Sequence, residues 1–363
     1  MALSKGDRVG VLTSGGDAPG MNAAVRAAAR VGAGMGLEVV GVEDGYQGLV
    51  EGRIRVLDMP ALDETARRGG TWLGTARSRA FMTPEGQAKA RATLTRERLR
   101  GLLVIGGNGS LTGAQTLLDH QTDAGPLVVG GVPASIDNEL ACTSMAIGVD
   151  TAMNTIVEAV DRLFDTASAH RRTFFIEVMG RDCGYLAMTS AVAAGADAVL
   201  VREVDKTEAQ IIEHVCGVVE AAYAQDSTRR RVLIIKAENV AVDLKHLQEQ
   251  VEARLAKTRP GVDSRITVLG HVVRGGAPSA FDRLLAARLS HAAVRAMAEG
   301  QSGFMAGWLG PDAMGPACAF DPYVVINPLS KVLSETTSLI RGETPLARWR
   351  KQVVREVEPI LSR

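Results

Sequence analysis

Short apolar runs of strand length alternate along the chain with longer segments whose apolar side chains recur at helical spacing. The first pair is a strand over residues 8–13 and a helix over 21–31. A strand over 102–105 and a helix over 111–118 repeat the arrangement, and a further strand follows at 127–129. Later strands are predicted at 174–178, 198–201, 232–235 and 266–269, each followed by a helical stretch, at 184–194, 208–224, 244–256 and 281–298. Runs such as Leu102-Leu103-Val104-Ile105 and Val232-Leu233-Ile234-Ile235 are apolar at successive positions, the pattern of strands covered on both faces. The expected fold class is α/β with largely parallel sheets, and ligands of such sheets bind outside the carboxyl ends of the strands.

A length of 363 residues suits two domains of roughly 100–200 residues each. Lys and Arg total 41 and Asp and Glu total 41, so no net charge draws the chain toward polyanions, and nucleic acid is not an expected partner. Cys142, Cys183, Cys216 and Cys318 lie far apart, without CxxC or Cys/His ligand spacing, which reads as reduced thiols in a cytoplasmic protein. No segment approaches the roughly 20 continuous apolar residues of a membrane helix. The opening MALSKGDRVGVLTSGG lacks the basic head and apolar core of an export signal, so neither membrane nor secretion is expected.

Glycine-rich loops follow several strands. Residues 14–22, Ser-Gly-Gly-Asp-Ala-Pro-Gly-Met-Asn, run from a strand into an alanine-rich helix, where backbone N–H groups and the helix dipole can hold an anion. Neither the P-loop lysine nor the GxGxxG spacing is present. Residues 106–110 repeat the arrangement, and 69–77 add a third glycine loop ending in Arg77. A structural turn explains any one of these loops, but all three together less comfortably. Residues 133–139 carry Asp137 and Glu139 directly after a strand; one of them can serve as a carboxylate base, or the segment is an Asx turn. Arg171, Arg172, Arg181, Arg265 and Arg274 flank strands where guanidinium groups can meet phosphate, and a solvated surface explains any single one of them. His271 is read either as a phosphate ligand or as a satisfied core histidine.

From about residue 8 to about residue 283, and weakly beyond, the chain resembles bacterial-type 6-phosphofructokinases. The residues that carry the likeness are GVLTSGGDAPGMNAAVR at 10–26, GGTWLGTAR at 69–77, GGNGSLTGA at 106–114 and PASIDNEL at 133–140. HRRTFFIEVMGRDCGYLA at 170–187, AEN at 237–239 and RITVLGHVVRGG at 265–276 complete it, in the family's order and spacing. The resemblance implies two Rossmann-like lobes, with residues 1–148 and 270–328 binding nucleotide and residues 149–269 and 329–363 binding sugar phosphate. It also implies transfer of the γ-phosphoryl of ATP to the 1-hydroxyl of fructose 6-phosphate in glycolysis, with Mg²⁺.

Position by position, the resemblance makes Asp137 the base and Arg181 the group that stabilises charge on the transferring phosphoryl. Gly15, Arg77, Ser78, Gly107, Asn108, Gly109 and Ser110 fall on nucleotide-binding positions. Ser135, Met179, Gly180, Glu238, His271 and Arg274 fall on sugar-phosphate positions, together with Arg181. Arg172 and Arg265 fall on the two that a neighbouring subunit supplies, which implies a homo-oligomer, dimer or tetramer, with shared active sites.

Members that use pyrophosphate carry Asp and Lys where this chain has Gly109 and Ala134, which favours ATP. Three departures stand out. Asn108 occupies the position of an aspartate that helps hold Mg²⁺, so weaker metal affinity is expected. Glu139 replaces a second aspartate, and its extra methylene suggests a compensating reach toward the metal. Among the family's effector-binding positions, Arg26 and Arg30 match cations and Asp197 replaces a glutamate. Phe164 stands where another arginine is expected, which argues against effector control. The alternatives are a pyrophosphate- or mixed-donor phosphofructokinase and a non-catalytic regulatory subunit of the same fold.

Overall fold

Val9, Val11 and Leu12 of β1 (Arg8–Ser14) are all buried, as a strand covered on both faces requires. The computed structural model describes residues 2–123, 125–225, 231–258, 260–309, 317–318 and 321–361. From β1 the chain runs through α1 (Met21–Gly34), β2 (Glu38–Val42), α2 (Gly45–Glu51), β3 (Ile54–Val56), α3 (Met59–Thr65) and α4 (Pro84–Arg96). It continues as β4 (Leu99–Gly106), α5 (Asn108–Gln115), the short β5 (Gln121–Thr122) and β6 (Gly125–Pro126), and β7 (Val128–Pro133). Next come α6 (Val149–His170), β8 (Arg172–Val178), α7 (Tyr185–Ala194), β9 (Ala198–Leu200), α8 (Glu208–Gln225), β10 (Val232–Ala237), α9 (Leu244–Thr258) and β11 (Asp263–Val268). The last elements are α10 (Ala280–Ala298), β12 (Phe304–Trp308), β13 (Ala317–Cys318), β14 (Asp321–Pro328), α11 (Leu329–Ile340) and α12 (Pro345–Leu361).

The chain divides into two compact units. One comprises Met1–Ile136, Leu140–Thr151 and Arg274–Thr337; the other comprises Asp137–Glu139, Ala152–Val273 and Ser338–Arg363. The first holds an eight-stranded sheet in the order β13-β14-β12-β7-β4-β1-β2-β3. Its strands from β12 to β2 are parallel, and β14 and β3 run antiparallel to their neighbours. The second unit holds the wholly parallel sheet β11-β8-β10-β9. The fold class is thus α/β with largely parallel sheets.

Local chemistry sets the helix ends. Thr83 accepts a hydrogen bond from the Gly86 amide at the start of α4, Pro84 occupies its first turn, and Glu85 and Arg96 complement the helix dipole at the two ends. Asp282 in α10 is fully buried and accepts from the Gly148 and Thr151 amides and the Thr151 hydroxyl, pinning the segment that follows β7.

The periodicity predicts nothing between residues 31 and 102, where the structure holds two strands and three helices. Four of them are seven residues or shorter, and α4 is polar over most of its 13 residues, so no apolar stripe runs long enough to register. The 22-residue α6 is likewise not among the predicted elements. Its buried stripe of Val149, Ala152, Ile156 and Val160 is interleaved with charged residues on nearly every turn. The unit division also differs in detail from the expected boundaries. Asp137–Glu139 counts with the second unit, and the final crossing falls inside α11 rather than at Pro328, because Leu329 and Val332 pack into the first unit's core.

Candidate active site

In the first unit, Ser14, Gly106 and Pro133 are lateral partners at the ends of β1, β4 and β7, so the loops after these strands open at one sheet edge. Here β2 lies on one side of β1 and β4 on the other, the topological switch point at which open α/β sheets bind ligands. Gly15 sits at φ +89°, and a Cβ built on it would lie 3.1 Å from the Ser110 hydroxyl. A side chain on Gly16 would come within 2.7 Å of Arg274 Nη1, which donates to the Asp17 carbonyl at 3.0 Å. The two glycines therefore admit Ser110 on one side and a guanidinium on the other.

The 69–77 loop is stitched to the same edge. Thr13 Oγ1 donates to the Gly74 carbonyl at 2.8 Å and pairs with the Thr71 hydroxyl at 2.7 Å. Thr75 donates to the Gly15 carbonyl at 2.8 Å, and the Asn22 side chain accepts from the Trp72 amide at 2.6 Å. Arg77 is exposed and makes no ion pair among the described residues. Ser78 is spent on structure: its hydroxyl accepts from the Phe81 amide and donates to Gln47, ending the loop in a 3₁₀ turn.

The helix after β4 begins three residues earlier than its apolar spacing predicts, at Asn108, directly on the glycine turn. Gly107 caps it with extended backbone and no side-chain acceptor; its carbonyl accepts from the Ser110 and Leu111 amides, so the Asn108 and Gly109 amides remain for a ligand. Asn108 lies in that first turn, and no heavy atom lies within 4 Å of a Cβ built on Gly109. The Ser110 hydroxyl is buried with no hydrogen-bond partner among the described residues. Tyr46, which sequence reasoning missed, donates to the Ser110 carbonyl from below.

In the second unit, the loops after β8, β10 and β11 share an edge. The Glu238 amide donates to the Val178 carbonyl at 2.8 Å, the Gly180 amide reaches Glu238 Oε1 at 3.4 Å, and the Leu269 amide donates to the Glu177 carbonyl at 3.0 Å. Met179, Gly180, Glu238 and the turn carrying His271 are thus neighbours along one edge; His271 is exposed, which excludes the core reading. Gly180 sits at φ +143°, and a Cβ there would meet the Cys183 carbonyl at 2.7 Å. The Arg181 carbonyl accepts from Asn239 Nδ2 and from Arg202 Nη1, each at 3.3 Å, while its guanidinium is exposed and free of ion pairs among the described residues. Backbone anchorage with an exposed cation suits contact with an anionic ligand.

Asp137 is half-buried between buried neighbours Ile136 and Asn138. Asn138, at φ +52°, turns the chain so that its carbonyl accepts from Arg350 Nη2 at 3.1 Å and faces the Cys183 thiol at 4.0 Å. Cys183 lies two residues beyond Arg181, so the Asp137 and Arg181 segments share these anchors. Ser135 counts with the first unit, where its amide donates to the Ile147 carbonyl.

Not every predicted residue joins these edges. Arg172 opens β8, at the opposite end of that strand from Met179, and both Arg172 and Arg265 bind the Asp263 carboxylate. Arg26 and Arg30 both bind Asp63, and their hydrogen bonds hold its carboxyl below the usual range. Asp197 is buried and accepts from the Leu233 amide at 2.7 Å, while Phe164 carries the Arg231 guanidinium over its ring at 3.5 Å.

Among the described residues no group of three or more His, Cys, Asp or Glu is placed to hold a metal ion. Cys142, Cys183 and Cys216 are free, and burial raises all three thiols, the first two to about 12; the Cys318 side chain lies outside the described residues. No helix among the described residues is long and apolar enough to cross a membrane.

Residues 8–297 match the family model described as phosphofructokinase. The chain is 45 % identical over 300 residues to an ATP-dependent 6-phosphofructokinase of Natranaerobius thermophilus, covering 83 % of this chain and 89 % of that protein. It is 43 % identical over 309 residues to ATP-dependent 6-phosphofructokinase 1 of Thermus thermophilus, with the same coverage of each. Among solved structures, the T-state phosphofructokinase of Pichia pastoris superimposes with a TM-score of 0.82 at 30 % identity, over 98 % of this chain and 40 % of that one. A pyrophosphate-dependent phosphofructokinase from Marinobacter aquaeolei shares the fold, with a TM-score of 0.72 at 18 % identity over 90 % of this chain and 83 % of that one. Motifs, fold and relatives agree: the chain belongs to the phosphofructokinase family.

Proposed function

We propose that this protein transfers the γ-phosphoryl group of ATP to the 1-hydroxyl of fructose 6-phosphate, giving fructose 1,6-bisphosphate and ADP in glycolysis. The observation that carries this reading is the lateral register of Ser14, Gly106 and Pro133, which opens three loops together above the uncapped start of α5, in a chain whose relatives are named for this reaction. Gly15, Arg77 and Gly107 to Ser110 bind the nucleotide, with Ser78 shaping the loop that carries Arg77. Ser135, Met179, Gly180, Glu238, His271 and Arg274 receive the sugar phosphate. The open space at Gly109 favours ATP over pyrophosphate, because the α-phosphate and nucleoside need that volume.

Phosphoryl transfer depends mainly on positioning and on charge neutralisation. Asp137 accepts the proton of the 1-hydroxyl as its oxygen bonds to the γ-phosphorus and the bond to ADP breaks. The exposed guanidinium of Arg181 neutralises charge on the transferring group. Mg²⁺ arriving with ATP would be held mainly by phosphate oxygens, which the α5 helix start favours; the amide oxygen of Asn108 would supplement them, and a cage of carboxylates is not needed. When bound, the ion offsets charge on the phosphates.

Arg172 and Arg265, away from the edge that carries Met179, are presented to a second copy of this chain, which makes the functional form at least a dimer. Zero net charge and reduced thiols suit a cytoplasmic enzyme without nucleic-acid or membrane partners. A coupled assay with fructose 6-phosphate, Mg²⁺ and either ATP or pyrophosphate tests the reading. Turnover with ATP, lowered about 10²–10⁴-fold in Asp137→Asn, is expected. Turnover with pyrophosphate alone, or sugar-phosphate binding without turnover, overturns it.

A further inference from the structure

The terminal helix α12 lies outside residues 8–297, the span the family model matches. Yet it sends one arginine into the interior of the second unit. Arg350 is 6 % exposed, its guanidinium lies 5.0 Å from the Tyr185 ring centroid, and no carboxylate lies within ion-pair distance of it among the described residues. The fork is used instead on two neutral acceptors. Nη2 donates to the Asn138 carbonyl at 3.1 Å, and Nη1 reaches Cys183 Sγ at 2.9 Å. Glu203 lines the same small cavity without pairing with it, so the buried guanidinium has a carbonyl, a thiol and an aromatic ring against it but no ion pair; this is costly, and packing alone is a poor account of it.

Both acceptors are backbone neighbours of the reacting groups. Asn138 is bonded directly to Asp137, and Cys183 is two residues from Arg181. Asn138 is 1 % exposed and held at φ +52°, a conformation that an asparagine adopts at modest cost when the surroundings fix it. Burial keeps the Cys183 thiol protonated, so it faces the Asn138 carbonyl as a donor while its sulfur accepts from Arg350. The result is a triangle of Arg350, Cys183 and the Asn138 carbonyl whose only charged member comes from α12.

We infer that Arg350 is a positioning residue for the reaction: through the Asn138 carbonyl it fixes the direction in which Asp137 presents its carboxylate. This rests on the reading of Asp137 as the base. A small misplacement of such a base is expensive in rate, because proton acceptance needs hydrogen-bond reach to the attacking hydroxyl.

Steady-state kinetics on full-length Arg350→Met, Arg350→Lys, Asp137→Asn and the double variant Asp137→Asn/Arg350→Met test the inference. Arg350→Met is expected to lower kcat about 10–100-fold while KM for ATP moves less than about twofold. Arg350→Lys, which can still donate to the Asn138 carbonyl, recovers part of that loss. In the Asp137→Asn background the same Arg350→Met change costs less than about threefold, because the group it directs has lost its function. Should Arg350→Met not fold, Arg350→Lys and Cys183→Ala are measured in both backgrounds, with the same non-additivity expected. An unchanged kcat in Asp137→Asn removes the base and this inference together. A large loss in Asp137→Asn, with Arg350→Met costing the same factor in both backgrounds or lowering only the melting temperature, leaves Asp137 in place and overturns the role of Arg350.

Discussion

The Tyr46 hydroxyl donates a hydrogen bond of 2.6 Å to the carbonyl of Ser110, joining α2 to the first turn of α5. The ring stacks on Phe81 with centroids 4.2 Å apart and fits because residue 113 is glycine: a Cβ there would lie 2.7 Å from Tyr46 Cε2. Burial pushes the phenol far above its ordinary value, so it remains a donor at every physiological pH. Tyr46→Phe leaves the Ser110 carbonyl without this donor and is expected to cost about 1–2 kcal/mol of stability. Because α5 carries the proposed nucleotide-binding residues, KM for ATP should rise about threefold with kcat nearly unchanged, an effect on binding shared by ground and transition states. Urea unfolding and ATP titration of turnover check both parts, and a stability loss without any change in KM would show that Tyr46 does not set the position of the turn.

Gly109 is exposed in the first turn of α5, with open space where a Cβ would stand. An aspartate there fills that space and, in the proposed nucleotide site, sets a carboxylate against the phosphates. Gly109→Asp should therefore raise KM for ATP by about tenfold or more, equivalent to about 1.4 kcal/mol. KM for fructose 6-phosphate should stay within about twofold, since most of the residues proposed to receive it, Met179, Gly180, Glu238 and His271, belong to loops of the other unit. Parallel titrations of the two substrates decide it; equal effects on both would mean a damaged fold rather than a filled pocket.

The strand-then-glycine units are legible in the sequence because both their signals, an apolar run and a glycine turn, lie within about ten consecutive residues. The spacing alone therefore puts the loops at Gly15, Gly107 and Gly180 at strand ends. Their supports are not legible, because each works across a long stretch of chain. Tyr46 reaches Ser110 over 64 residues, Asn22 reaches Trp72 over 50, and Arg350 reaches Asn138 over 212. No periodicity records such a meeting. Ser78 shows the converse: a hydroxyl beside Arg77 suits a ligand by residue type, yet local geometry turns it back as a cap for the Phe81 amide. Arg26 and Arg30 fall on one helix face by their spacing, but Asp63, which binds both, sits on a helix that the apolar pattern does not reveal.

If Asn108 serves Mg²⁺ as proposed, its amide stands where a carboxylate would strengthen both metal affinity and the helix start. A negative charge in the first turn interacts favourably with the helix dipole, by about 0.3–1 kcal/mol at an exposed site. An anionic oxygen also binds Mg²⁺ more strongly than a neutral one. Asn108→Asp is expected to lower the Mg²⁺ concentration for half-maximal turnover by about threefold to tenfold, while the Mg²⁺-saturated kcat changes little. Glu139→Asp, which shortens the second candidate carboxylate by one methylene, should move the requirement the other way. Titrating Mg²⁺ at saturating ATP and sugar phosphate tests both. If neither substitution shifts the midpoint, these two side chains do not serve the ion.

Arg288 binds the Asp321 carboxylate through both Nε and Nη2, each at 2.5 Å, and its guanidinium lies over Trp308 and Tyr323, whose rings stack 5.3 Å apart. Burial alone would raise the Asp321 carboxyl; the Arg288 hydrogen bonds and the Tyr323 amide more than reverse this and leave it below its ordinary value. A carboxyl depressed on folding stabilises the native state above its unfolded pKa, near 3.9, and that contribution is lost as pH falls through the lower folded value. Asp321→Asn should therefore be less stable than the parent by about 1 kcal/mol at pH 7, a figure discounted for partial solvent screening on the Arg288 side of the pair. The difference should shrink as pH falls from about 5 toward 2, where the parent loses its charge as well. Asp63, Asp119 and Asp263 are depressed too, so the parent's own acid sensitivity is shared among several groups, and only the difference between parent and variant isolates this pair. Urea unfolding followed by tryptophan fluorescence at a series of pH values measures it, since Trp308 lies against the Arg288 guanidinium. A stability difference that stays constant with pH would mean that Asp321 acts through its hydrogen-bonding shape and not its charge.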